Sequence, residues 1–195
     1  NSNENEQPNT PRRFDCTSES GDAEKFWNAL YSGVETANNF IYNLENSPIY
    51  TTDNKNLTQM LGEAKMFRAM FYYELLCYWG DIPFTMLPTY VTQEFILPVT
   101  SRDEVYKQLI NDLKAAAPLM KKTSEIAEGI ERPSKEACWA MIARLALQAG
   151  GYSLRPAEGT NYGKMARPEN YREFYQIART YADSVIQSGS HSLTK

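Results

Sequence analysis

Apolar positions recur at helical spacing in five stretches of the chain, and the densest runs from Glu63 to Pro83. Three faces can be drawn on it. One carries Ala64, Phe67, Phe71, Leu75 and Tyr78, and a second carries Met66, Met70, Tyr73 and Cys77. The third begins polar at Lys65 and Arg68 and turns apolar at Tyr72, Leu76 and Trp79. A helix apolar almost all round sits inside a domain with neighbours on most sides. At about 1.5–3 kcal/mol per fully buried large side chain, it would supply a large share of a core. The pattern predicts a central helix from about Leu57 to Trp79. Gly80 fits the left-handed position that ends a helix, and Pro83 prevents resumption. Arg68 and Glu74 have no partner three or four residues away on this helix. The spacing predicts that both tie the helix to adjacent ones. The alternative is a ligand-binding Arg/Glu pair.

The other helices follow in order. Asp22 can cap a helix from Ala23 to about Glu45, with Phe26, Leu30, Gly33, Ala37, Phe40 and Leu44 on one face. Gly33 and Ala37 leave room for a second helix. Asp81 to Thr100 holds Pro83, Pro88 and Pro98 and reads as an irregular connection with an extended piece at Phe95–Leu97. Ser101 and Glu104 form a capping box before a helix running to about Ala117. Pro133 and Ser134 open a fourth helix. In it Ala137, Ala140, Ala143, Ala146 and Ala149 suggest a narrow strip for close backbone approach, and Gly150-Gly151 ends it. A loop with Pro156, Gly159, Gly163 and Pro168 leads to a fifth helix, about Glu169 to Gln187, that faces inward with Phe174, Ile177, Tyr181 and Val185. Residues 1–22 are polar and read as an extended or mobile lead-in to a helical domain over 23–195. No sheet is expected. Helices in antiparallel sequence predict an all-α fold, a tetratricopeptide-like solenoid of helical pairs, although the strict repeat signature is missing.

Composition narrows the function. The net charge of −4 gives no basic footprint, so nucleic acid is not an expected partner. No apolar run is long enough to span a membrane. Asn1 to Thr10 is polar throughout, so the chain is either cytosolic or has lost a targeting segment. Three cysteines make no even framework. Cys77 and Cys138 lie in helical patterns and are expected to pack as small hydrophobes; Cys16 stays undecided. With 13 tyrosines among 24 aromatic residues, the chain is rich in side chains that offer a ring face and a hydroxyl together. That suits wet binding surfaces and helix seams alike. His191 is the only histidine, which excludes a multi-histidine metal site and argues against a His-based triad. No metal, cofactor or phosphate-loop motif is present. The residues alone point to an all-helical binding or scaffold module and not to an enzyme.

Four pieces carry a family resemblance. Glu63-Ala-Lys-Met-Phe-Arg-Ala-Met-Phe-Tyr-Tyr-Glu-Leu-Leu-Cys-Tyr-Trp-Gly-Asp-Ile-Pro83 resembles the signature helix of the SusD/RagB family. The stretch Trp27 to Ile41 resembles the helix that precedes it. Arg132-Pro-Ser-Lys-Glu-Ala137 and Ala140 to Gly150 resemble a later one, with Glu131 where glycine is usual. Ala178 to Leu193 resembles the end of the next, with His191 in the place of a tyrosine. The match covers most of Phe26–Leu193.

The resemblance implies a cell-surface lipoprotein of the outer membrane in Bacteroidota, built on tetratricopeptide-like units. It implies a non-enzymatic glycan-binding protein, in some members a peptide binder, that forms a lid on a SusC-like TonB-dependent transporter. Members are usually much longer, so the chain reads as the helical, transporter-facing part of a larger protein. No lipobox precedes Cys16, so Cys16 is not read as the lipid anchor. Sugar rings would stack on aromatic faces while polar groups pair with hydroxyls. No contact residue carries over by motif. Arg13, Phe14 and Trp27 are the candidate ligand-binding residues, although Trp27 better suits a helix-start residue packed on the core. The rival reading is a tetratricopeptide-like peptide- or protein-binding adaptor, which would show a concave groove lined by polar helix faces. A glycoside hydrolase would need two close carboxylates in a cleft.

Overall fold

The computed structural model describes residues 21–127, 131–156 and 163–192. Its long elements are helices: α1 (Gly21–Glu45), α2 (Lys55–Trp79), α4 (Arg102–Ala116), α5 (Lys135–Ala149) and α6 (Tyr171–Gln187). A four-residue α3 (Thr89–Thr92) lies between α2 and α4. Local chemistry sets the ends. Asn54 caps α2, its side chain accepting from the amides of Asn56 and Leu57. Ser101 caps α4 and Ser134 caps α5 in the same way. Asn54→Ala should therefore cost about 1 kcal/mol, read as a lower urea midpoint at unchanged slope. The capping box before α4 is half formed, because the Glu104 carboxylate accepts from Gln108 (2.7 Å) instead of the Ser101 amide. Gly80 stops α2 with φ 77°, its N–H donating to the Leu76 carbonyl.

Consecutive long helices pack antiparallel. At one end of the α1/α2 pair Phe26 meets Trp79, and at the other Glu45 meets Lys65. Gly33 makes this pairing close: the Phe71 ring occupies the space a Cβ would take. α2 also packs against α4 and α5, and α5 against α6. One apolar core runs through them, from Leu30 and Val34 through Tyr72, Leu75 and Leu76 to Leu109, Leu113, Ile142, Leu145 and Phe174. The fold is all-α and tetratricopeptide-like, with α2 at its centre.

Four expectations are corrected. α2 is not enclosed on all sides. Its Leu61, Arg68, Tyr72 and Leu76 side is buried, while Met60, Phe67, Met70 and Tyr78 are exposed. Among the described residues α1, α4 and α5 pack on the other sides and leave this one largely open. Cys77 is exposed for the same reason, whereas Cys138 is buried and its thiol faces the Leu113 carbonyl. The alanine strip of α5 does not face one neighbour: Ala146 and Ala149 are buried and Ala140 is exposed. A repeat of three drifts around a helix of 3.6 residues per turn. Two small sheets also form where none was expected. β1 (Ile82–Pro83) pairs with β2 (Val99–Thr100), beyond the predicted extended piece at Phe95–Leu97. β3 (Ser153–Pro156) pairs antiparallel with β4 (Gly163–Ala166).

The two lone charges of α2 part company. Arg68 is 2% exposed and ties three elements together. It donates to Asp112 of α4 (2.6 Å), Asn38 of α1 (2.8 Å) and the Met86 carbonyl (3.1 Å). Lys65 reaches the same Asp112 (3.1 Å). The Nε of Arg68 is the one buried side-chain polar atom without a partner among the described residues. Glu74 stays half-buried at the rim and, among the described residues, forms no ion pair to a neighbouring helix.

Candidate functional site

Antiparallel pairing brings the start of α1 to the end of α2, and both ends are aromatic. Trp27 lies between Tyr31 (ring centroids 4.7 Å) and Trp79 (5.0 Å, edge to face). Phe26 sits edge-on to Tyr78 at 5.1 Å and also touches Trp79. From Tyr31 the series continues inward to Tyr72 and Phe84. The inner hydroxyls are committed. Tyr31 donates to the Pro83 carbonyl (2.7 Å). Tyr72 donates to the Thr85 carbonyl (2.7 Å) and accepts from the Thr85 amide. Burial, with the neighbouring Tyr72 adding to it, raises the Tyr31 hydroxyl above the usual phenol range. Burial likewise pushes Tyr72 up to about 12, partly offset by the Thr85 hydrogen bond. Neither hydroxyl is available for acid–base work.

The outer pair differs. Tyr78 is 67% exposed and Phe26 is 36% exposed, so a ring face and a phenol hydroxyl stand at the surface. A pyranose ring offers an apolar face and a rim of hydroxyls, and an exposed tyrosine complements both. Trp27 itself is half-buried and packed against the core, which makes it the support under Phe26 and Tyr78. Arg13 and Phe14 lie outside the described residues. Sequence reasoning missed Tyr78, which it placed on the Phe67 face of α2. Its place in the last turn before Gly80, where a helix end emerges from its neighbours, was the available signal.

A second concave feature follows the open side of the α1/α2 pair. Gly33, Ala37, Phe40, Met60, Phe67 and Phe71 line a groove of about 520 Å³. Its polar rim is an ion pair in which Arg132 Nη2 lies 2.9 Å from Glu63 Oε2 and Arg132 Nε donates to Glu63 Oε1 (3.0 Å). The groove is mainly apolar, unlike the polar-lined concavity expected of a peptide adaptor. Among the described residues no three His, Cys, Asp or Glu side chains converge as a metal site requires. No described helix is long and apolar enough to cross a membrane.

Residues 2–147 match the SusD-like family described as starch-binding and associating with the outer membrane. A SusD-like protein of Bacteroides ovatus is 25% identical over 167 residues, which cover 86% of this chain and 28% of the relative. A SusD homolog of Bacteroides thetaiotaomicron superposes with a TM-score of 0.75 at 22% identity, over 92% of this chain and 32% of its own. A structure solved with a xylogluco-oligosaccharide gives 0.71 at 24% identity, over 93% of this chain and 32% of its own. At such identities these two likenesses establish the fold. The chain spans about 28–32% of the length of these relatives. The family match over residues 2–147, together with the shared helical-pair architecture, shows that the chain belongs to the SusD-like family.

Proposed function

We propose that this chain is the helical part of a cell-surface glycan-binding protein at the outer membrane. It captures oligosaccharides or polysaccharides for a SusC-like TonB-dependent transporter and performs no bond chemistry itself. The observation that carries this reading is the match of residues 2–147 to a family described as starch-binding and associating with the outer membrane. A protein of the same fold solved with a xylogluco-oligosaccharide supports a glycan as ligand. In this reading residues 1–22 lead into a helical domain over 23–195, and Arg13 and Phe14 of the lead-in contribute contacts. Phe26 and Tyr78 form a stacking platform with Trp27 behind them. An open platform of this kind suits a polymer that must later be released.

Affinity electrophoresis and calorimetry with starch, xyloglucan and a peptide library test the proposal. One or more polysaccharides should bind. Tyr78→Ala should weaken that binding about threefold to tenfold, the worth of one aromatic stacking contact. Binding of peptides with failure of every polysaccharide would establish the adaptor instead. Glycan binding unchanged in Tyr78→Ala would remove the platform from the reading.

A further inference from the structure

A cluster where the β3–β4 hairpin meets the start of α6 takes no part in the platform above. The β3–β4 hairpin pairs Ser153 with Ala166, so Tyr152 and Arg167 follow as the next residues at its open end. The guanidinium carbon of Arg167 lies 4.5 Å from the Tyr152 ring centroid, 5.0 Å from that of Tyr171 and 5.5 Å from that of Tyr175. Arg172 approaches Tyr171 as well, its Nε donating to the phenol oxygen (3.1 Å). Together the two arginines pull the Tyr171 hydroxyl below the usual phenol range, Arg172 more strongly. Tyr152 is 63% exposed, and Arg167 and Arg172 are exposed too.

The cluster is held from below. Arg155 on β3 donates to both oxygens of Asp103 on α4 (2.8 and 3.0 Å) and to the Ala166 carbonyl, one residue before Arg167. Gly150 leaves the space that the Tyr175 ring fills. The acidic residues nearby do not neutralise the arginines. Glu173 accepts from Asn170, and among the described residues neither Arg167 nor Arg172 has a carboxylate partner. A guanidinium gripped by three rings has already lost much of its rotamer freedom, so less is lost when it binds. Its planar fork remains suited to a carboxylate or sulfate.

We propose that Arg167 and Arg172, framed by Tyr152, Tyr171 and Tyr175, form a second glycan subsite that selects the carboxylate or sulfate group of an acidic polysaccharide. The inference rests on the glycan-capture reading and adds to it the charge of the ligand. The guanidinium groups take the anion, and the exposed tyrosine takes the sugar ring.

Calorimetry of the full chain with polygalacturonate, dextran sulfate and neutral xyloglucan tests it. At least one acidic polymer should bind, and added salt should weaken that binding while sparing the neutral polymer. Which acidic polymer binds separates a carboxylate from a sulfate site. Arg167→Gln should weaken acidic binding about tenfold with neutral binding unchanged. Arg167→Lys should fall between, since it keeps the charge and loses the fork. If Arg167→Gln does not fold, Arg172→Gln on the exposed rim serves, with a loss of the same sign. Acidic polymers that bind no better than the neutral one, or variants that bind like the parent, overturn the subsite and leave glycan capture standing. Failure of every polysaccharide overturns both.

Discussion

Asp112→Ala should destabilise the protein by about 3–5 kcal/mol, the usual loss when one partner of a buried ion pair is removed. Arg68 is nearly inaccessible, and among the described residues Asp112 is its only carboxylate, at 2.6 Å. Asn38 and the Met86 carbonyl would remain as hydrogen-bond partners, but neither carries charge. Lys65 would also lose a partner. For a chain of this size the loss corresponds to a melting temperature about 6–20 °C lower. A double variant, Arg68→Met with Asp112→Ala, separates lost attraction from stranded charge. It should be more stable than Asp112→Ala alone, because the methionine needs no counter-ion. A single variant within about 1 kcal/mol of the parent would show that water reaches Arg68 and that the buried network is not what joins α1, α2 and α4.

Gly80→Ala carries the second large effect, from two sources that can be told apart. The residue sits at φ 77° and ψ −111°, where an L side chain is strained by about 1–3 kcal/mol. A Cβ there would also run into the guanidinium of Arg102, which is held by Asp81. The guanidinium is the far end of a flexible side chain and gives way by loosening its contact with Asp81, which adds about 1 kcal/mol or less. Chemical denaturation should give about 1–4 kcal/mol for the single variant, most of it from the backbone. Combining it with Arg102→Ala removes the collision and leaves the backbone strain. A double variant that recovers nothing relative to the sum of the singles would assign the whole effect to the backbone.

The long helices were legible because their punctuation is chemical. Ser101, Ser134 and Gly80 stand where caps and stops belong, and the observed ends follow them closely. The hairpins were not legible. β1 and β2 are two residues each, too short for alternation, and Ser153-Leu154-Arg155-Pro156 reads as a loop by composition. What holds that hairpin in place is Arg155 reaching Asp103, a contact across 52 positions that no local pattern displays. The open side of α2 was misjudged for a related reason. Apolarity shows that Phe67 and Met70 could be covered, but not that a neighbour covers them. The signature helix did reveal the family, yet the surface rings lie where elements distant in sequence meet. Phe26 finds Tyr78, and Arg167 finds Tyr152, only through the fold.

The connection between α2 and α4 has little hydrogen-bonded ladder of its own, and its polar atoms are claimed by helix side chains. Tyr31 and Tyr72 hold the Pro83 and Thr85 carbonyls, Asn38 holds those of Thr85 and Leu87, and Glu35 accepts from the Thr89 amide. These anchors come from both α1 and α2, so they converge only after the two helices have come together. The segment therefore has its full set of anchors only while both hosts are in place. Once seated it acts as a clasp across them, and the three pieces open and close as one cooperative unit.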